Sequence, residues 1–87
     1  MKIIRISAIW CPACLVMKKV WKSIDVSNFE VIDYDYDMDS IEIEKYNIGK
    51  ILPVYIFMDK DKEVKRLVGE LSLDKLKKEI EGLRWSI

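Results

Sequence analysis

Histidine is absent from this chain of 87 residues, and cysteine, proline and glycine are scarce. Without an imidazole there is no Cys–His nucleophilic pair, no histidine general base and no histidine metal ligand. Two cysteines cannot form the several disulfides that hold small secreted domains together. No apolar run approaches the ~20 residues that cross a bilayer, and 15 basic residues balance 15 acidic ones. We therefore expect neither nucleic acid nor a membrane as a partner.

The remaining composition is that of a globular protein, with 51% hydrophobic and 34% charged residues. Its length predicts a single domain spanning residues 1–87. The apolar N-terminus is interrupted by Arg5, and Trp10 stands where a signal peptide would need a small residue for cleavage. We therefore interpret the first segment as a strand and expect a cytoplasmic monomer.

The two cysteines are the most informative feature of the chain. Cys11 and Cys14 stand two residues apart, between a β-branched apolar run and a helical pattern. This spacing in a strand-to-helix turn is typical of a dithiol that is alternately reduced and oxidised. The pattern puts Cys11 at the helix N-cap and Pro12 at the first helical position, where unpaired amides and the helix dipole favour a thiolate on Cys11.

Metal transfer and simple packing are the alternatives to redox chemistry for these cysteines. A structural zinc site needs four ligands, whereas two thiolates alone suit Cu(I). Copper chaperones with this spacing usually have a methionine where Ile9 stands, and a different order of strands and helices. The aspartates at 33, 35 and 37 lack the glycine and distal glutamate of a calcium loop, so we interpret them as a solvated strand edge. We expect no resident metal and no cofactor beyond the dithiol.

Hydrophobic periodicity predicts the element order βαβαββα. The strands are predicted at 2–9, 29–36, 51–58 and 63–68, with helices after Cys11, at about 39–46 and after Ser72. A right-handed crossover makes the first two strands parallel, and the short turn at 59–62 makes the last two antiparallel. The predicted fold is therefore an α/β, four-stranded mixed sheet with helices on both faces.

Local patterns predict how the helices begin, end and pack. The first helix is expected to bury a face containing Ala13, Val16, Met17, Val20 and Ile24, and Trp21 is interpreted as core packing. Asp39 to Glu42 resembles a capping box, and Asn47 is a predicted helix stop because asparagine tolerates the left-handed conformation.

Three separated motifs, taken with this element order, resemble the thioredoxin superfamily at the size of a glutaredoxin core. They are Trp10-Cys11-Pro12-Ala13-Cys14, Leu52-Pro53 and Val68-Gly69-Glu70-Leu71-Ser72. The resemblance covers nearly all of the chain in order. It implies a thioredoxin-like fold, βαβαββα, and a protein-disulfide reductase, with disulfide-containing proteins as substrates and a flavoprotein like thioredoxin reductase as electron donor.

The resemblance also implies roles for individual residues. Cys11 would attack the substrate disulfide and Cys14 would resolve the mixed disulfide. Pro53 would be a cis proline that presents the Leu52 main chain to a substrate, since sequence alone predicts a trans bond. The other residues implied in substrate binding are Trp10, Pro12, Ala13 and Gly69.

The chain departs from the family at two positions. Arg5 stands where thioredoxins carry a buried acid in the strand before the cysteines. Glu70 follows Gly69, so the Gly-Gly and acidic pattern with which glutaredoxins hold glutathione is absent. The resemblance therefore does not imply glutathione as the main partner.

Overall fold

The structure, a computed structural model, describes residues 1–85 and the side chains of residues 1–83; the last two residues of the expected domain, 86 and 87, lie outside it. The predicted order of elements is confirmed. The elements are β1 (Lys2–Ser7), α1 (Pro12–Trp21), β2 (Glu30–Asp35), α2 (Ser40–Ile43), a 3₁₀ turn (Glu44–Tyr46), β3 (Val54–Asp59), β4 (Lys62–Val68) and α3 (Leu73–Trp85).

The four strands form one mixed sheet in the order β2-β1-β3-β4. β1 pairs parallel with β2 and antiparallel with β3, and β3 pairs antiparallel with β4. These pairings confirm the predicted topology. The turn between β3 and β4 contains Lys60 at a φ of 58°. The strand β1, one of the two central strands, is followed in the chain by the cysteine motif.

Side chains of the two central strands alternate between the two faces of the sheet. Ile3 and Phe57 pack with buried residues of α1 and α3, whereas Ile4 and Ile56 pack with Ile43 of α2. The helices thus cover both faces, as predicted. No helix in the described part of the chain is long and apolar enough to span a membrane.

The buried face of α1 differs from the predicted one. Cys14, Met17 and Trp21 are buried, whereas Val16 is 45% exposed. The helix also ends at Trp21, so that Ile24 joins the core from the following turn. The apolar spacing allowed either face, and burial of Cys14 at the start of the helix selects the stripe that runs through Met17 and Trp21.

The predicted capping box at Asp39 is wrong, although the short helix after it exists. Asp39 occupies the N-cap position of α2 without a side-chain cap bond. Its Oδ2 instead accepts the amide N–H of Asp35 at 2.7 Å, which ties the helix start to the end of β2. Asn47 ends the 3₁₀ turn at φ 53° and ψ 55°, as predicted. β3 begins only at Val54, one residue after Pro53.

Candidate active site

Cys11 lies at the end of the loop that joins β1 to α1. Its backbone is extended, with φ −95° and ψ 111°. It is the N-cap residue of α1 and Pro12 is the first helical residue, as predicted. The Cys11 Sγ accepts the amide N–H of Cys14 at 3.2 Å. This bond satisfies one of the unpaired amides of the first turn, and it strengthens when the sulfur is a thiolate. Both cysteines are free thiols.

Cys14 lies one turn into the helix and is 94% buried, with an exposed fraction of 6%. Burial, together with a hydrogen bond and charge from Cys11, raises the pKa of the Cys14 thiol from 9.0 to about 11. The Ala8 main chain acts in the opposite direction, but its effect on this pKa is smaller. Cys14 is therefore a protonated thiol at neutral pH.

Leu52 and Pro53 lie in the loop immediately before β3. The Leu52–Pro53 peptide bond is cis, as the resemblance implies. Leu52 packs in the same apolar cluster as Cys11 and Cys14. Among residues 1–85, no hydrogen bond engages the Leu52 main chain.

Gly69 lies beside this loop because its amide N–H donates to the Pro53 carbonyl oxygen at 2.8 Å. Its φ of 87° lies in the left-handed region that favours glycine. A Cβ added there would lie 3.7 Å from Ile51 Cγ2, which is ordinary contact. The glycine is therefore required by its backbone conformation rather than by lack of space.

Trp10 projects from the surface next to Cys11, with 58% of its area exposed. Its indole N–H donates to Asp37 Oδ2 at 2.6 Å, and its ring meets the edge of Tyr36 at a centroid distance of 6.2 Å. These contacts fix the indole at the rim of the cysteine site. Of the two residues between the cysteines, Pro12 is exposed and Ala13 is half-buried.

Arg5 on β1 is half-buried. Its guanidinium makes two bonds to Asp33 on β2, of 2.6 and 2.8 Å. The same group lies 5.1 Å from the ring centre of Trp21. Arg5 is thus neutralised by its neighbour in the sheet and packed against α1.

Three residues near the site were not identified by the sequence analysis. Asp37 and Asp33 were interpreted as a solvated edge, yet they bond Trp10 and Arg5. Tyr55, the cross-strand partner of Arg5, is buried, and burial raises its pKa to about 12 while the nearby Trp21 indole acts to lower it. Only the assembled sheet brings these side chains to the site. Within residues 1–83, no group of three or more His, Cys, Asp or Glu side chains is placed to hold a metal ion.

Comparison with solved structures identifies thioredoxins with this fold. A thioredoxin from Trypanosoma brucei brucei superposes with a TM-score of 0.83 at 18% identity, covering 94% of this chain and 73% of that one. A mutant thioredoxin from Halobacterium salinarum gives 0.80 at 22% identity, covering 93% and 72%. A thioredoxin from Nicotiana alata gives 0.80 at 25% identity, covering 93% and 70%.

Sequence comparison agrees with the structural one. A search of curated protein sequences finds no significant match. The family model for thioredoxin, however, matches residues 1–82, which is nearly the whole chain. With the fold and the paired cysteines already described, this match shows that the chain belongs to the thioredoxin family of thiol–disulfide oxidoreductases.

Proposed function

We propose that this protein reduces disulfide bonds in protein substrates, with Cys11 as the nucleophile and Cys14 as the resolving thiol. The bond from the Cys14 amide to Cys11 Sγ is the observation that carries the proposal. A hydrogen bond to a charged acceptor is stronger than one to a neutral acceptor, so this amide is placed to stabilise the negative charge that the Cys11 sulfur carries during exchange. Its place at the helix N-terminus acts in the same direction.

The exchange proceeds in two steps that balance in atoms and electrons. The Cys11 thiolate attacks one sulfur of the substrate disulfide, forms a mixed disulfide and releases the other substrate sulfur as a thiolate. Cys14 then loses its proton and attacks Cys11 Sγ, which breaks the mixed disulfide and releases the second substrate thiolate. The protein is left with a Cys11–Cys14 disulfide and the substrate has gained two electrons; its two thiolates take up the proton lost by Cys14 and one proton from water.

The surface around Cys11 supports a peptide as substrate. Exposed apolar side chains at Trp10, Ile51 and Val68 surround the buried Leu52–Pro53 loop. An extended substrate segment would bond the free Leu52 main chain while its side chains contact this rim, as in other strand-addition modes. Pro12, Ala13 and Gly69 complete the proposed contact surface. Gly69 contributes its small size, because its own amide is already bonded to Pro53.

Return to the dithiol form requires an external electron donor. We propose a flavoprotein reductase in this role, and a reducing, cytoplasmic setting in which the protein works toward substrate reduction. The protein itself contributes only the redox-active pair and works as a monomer.

Reduction of insulin disulfides by dithiothreitol tests the proposal. The wild-type protein should accelerate insulin precipitation, Cys11→Ser should be inactive, and Cys14→Ser should accumulate a mixed disulfide with the substrate. Wild-type protein that is no faster than Cys11→Ser would overturn the proposal. Tight binding of one Cu(I) per chain, without insulin reduction, would instead favour the metal-carrying alternative.

A further inference from the structure

The loop between β2 and α2 is fixed by hydrogen bonds to its own main chain. Asp35 Oδ2 accepts the amide N–H groups of residues 37 and 38 at 3.0 and 2.9 Å. The amide of Tyr36 donates to the Ser7 carbonyl oxygen at 2.7 Å, which ties the loop to the end of β1. A loop held in this way is pre-organised, so that a partner that binds it would have little to order.

This loop and the start of α2 expose two large apolar side chains. Met38 is 87% exposed and Ile41, three residues later, is 81% exposed. The side chain of Ile43 packs into the core instead, so α2 is anchored on one side and open on the other. Neighbouring apolar side chains left in solvent mark interaction surfaces, and a methionine adapts its flexible thioether to partners of different shape.

The two side chains continue the rim of the cysteine site. The Trp10 indole N–H donates to Asp37 Oδ2 at 2.6 Å, and Met38 follows Asp37 directly. Trp10 itself precedes Cys11 in the chain. We call Trp10, Met38 and Ile41 the side patch. A substrate whose disulfide lies at Cys11 reaches this patch with residues close to its own cysteine.

Negative charge surrounds the side patch. Residues 35–46 contain five acidic side chains and one basic side chain. The basic one, Lys45, lies over the Tyr46 ring at 5.3 Å. Within residues 1–83 none of the five carboxylates takes part in an ion pair, and Glu42 and Glu44 are exposed. Uncompensated charge at the rim of an interface attracts a partner of opposite sign and speeds the encounter.

We propose that the side patch selects protein substrates in which apolar and basic side chains flank the disulfide. The apolar side chains would pack on Met38 and Ile41, and the basic ones would pair with Glu42 and Glu44 beside them. This inference rests on the proposed function and deepens it, since it names the class of substrate that the same site takes.

Charge also distinguishes this occupant from two others. At a two-fold interface between copies of this chain the side patch would face itself, and the acidic side chains of both copies would repel each other. An anionic lipid surface would be repelled in the same way. A basic and apolar protein segment is the occupant whose charge complements the patch.

Four activated peptides test the inference on the reduced protein, with no electron donor present. Each contains one cysteine in a mixed disulfide with thionitrobenzoate, flanked on both sides by leucine or serine in combination with lysine or glutamate. Attack by Cys11 releases thionitrobenzoate, the better leaving group. Each rate is divided by the rate of 2-mercaptoethanol with the same peptide, because flanking charge also changes the reactivity of the disulfide itself.

The expected order of rates follows from the two kinds of contact. The leucine–lysine peptide should react about fivefold faster than the leucine–glutamate peptide, the factor that one or two exposed ion pairs supply. It should react about fourfold faster than the serine–lysine peptide, the factor for burial of one methylene group. The preference for lysine should shrink in about 1 M salt, where the screening length is roughly 3 Å, and the preference for leucine should remain.

Paired variants assign each preference to its side chains. Met38→Ser/Ile41→Ser should lose the preference for leucine, and Glu42→Gln/Glu44→Gln should lose the preference for lysine. Circular dichroism checks that each variant is folded, and the comparison of peptides and salt in the wild type tests the inference without any variant.

Val64→Ser and Asp61→Asn are the matched controls. Both residues are exposed and lie in the β3–β4 hairpin, and both variants should keep the two preferences. Equal normalised rates for all four peptides, or an equal loss of preference in the controls, would overturn the inference. A dimer in sedimentation that Met38→Ser/Ile41→Ser converts to a monomer would also overturn it, because a second copy would then cover the patch.

Reduction of bis(2-hydroxyethyl) disulfide by the wild-type protein separates the two levels of the argument, since this disulfide carries neither apolar nor charged flanking residues. Wild-type protein that reduces it and reacts equally with all four peptides would contradict this inference alone. Wild-type protein that reduces neither it nor insulin would contradict the proposed function.

Discussion

Arg5 and Asp33 face each other across two parallel strands and are joined by two hydrogen bonds, Nε to Oδ1 at 2.6 Å and Nη2 to Oδ2 at 2.8 Å. Two parallel bonds of this kind use the planar guanidinium fully. The Arg5 cation is therefore held by a carboxylate of the neighbouring strand, which compensates its charge.

Removal of the Asp33 carboxylate measures how much its pair with Arg5 contributes to the free energy of unfolding. We expect Asp33→Asn to lower the free energy of unfolding by about 1 kcal/mol, because it leaves a half-buried guanidinium without its charged partner. The control is Glu30→Gln on the same two strands, which removes an exposed pair with Lys2 at 3.8 Å and should cost below about 0.5 kcal/mol. Urea unfolding measures both variants, and equal costs would contradict the prediction.

The raised pKa of Cys14 predicts that resolution of the mixed disulfide accelerates with pH. Because only the thiolate attacks and the pKa is about 11, its fraction should rise roughly tenfold per pH unit at neutral and mildly alkaline pH. The measurement is release of thionitrobenzoate from a preformed mixed disulfide on Cys11, with Cys14→Ser as the variant that cannot release it. A plateau below about pH 8 would show that Cys14 is already ionised there.

The same shift predicts a loss of stability in alkaline solution. The folded protein binds the Cys14 proton more tightly than the unfolded chain, whose thiol has an ordinary pKa of 9.0. This contribution is fully present below about pH 9 and is lost as the pH rises toward 11. Thermal unfolding of the reduced protein measures it, and Cys14→Ser should show a smaller alkaline decrease than the wild type.

The bond between Trp10 and Asp37 predicts an effect on substrate binding. Asp37→Ala should raise the KM for insulin roughly threefold, since a hydrogen bond that orients an exposed indole contributes modestly. Reduction of bis(2-hydroxyethyl) disulfide, which is too small to span the rim, should not change. Asp61→Ala, in the exposed β3–β4 turn, is the control, and an equal loss on both substrates would contradict a role in orienting Trp10.

Gly69 and Gly49 differ in backbone conformation, because only Gly69 of the two has a positive φ. Gly69→Ala should destabilise the fold by about 1–2 kcal/mol, because its φ of 87° disfavours any Cβ. Gly49 has open space around it and no positive φ. Gly49→Ala should therefore be neutral or slightly stabilising. Chemical denaturation of the two variants checks the difference, and similar values would show that the left-handed backbone is not what selects Gly69.

Local features were predictable because they depend on neighbouring residues alone. The Cys11 N-cap follows from Pro12 and the apolar strand before it, and the stop at Asn47 follows from the tolerance of asparagine for a left-handed backbone. The hairpin follows from a polar turn between two β-rich segments. The cis bond before Pro53 is different in kind, since only the family resemblance predicted it.

The predictions of the buried face of α1 and of the capping box at Asp39 were wrong because contacts with residues distant in the sequence decided both features. Val16 and Trp21 both fit a helical stripe, and contact with the sheet selected Trp21. Asp39 has the sequence of a cap, yet the end of β2 lies close enough to take its carboxylate. In both cases a contact with the sheet decided the outcome, and the local sequence pattern does not encode that contact.

The sequence by itself determined the dithiol, its place at the start of a helix, and the order of elements around it, since each rests on spacing and on short-range hydrogen bonding. The tertiary structure alone decided that Arg5 is paired with Asp33, that Trp10 is held by Asp37, and that Cys14 is buried. These relationships depend on strand register and on how a helix lies on a sheet. Residues about 27 positions apart then become neighbours, which no local pattern encodes.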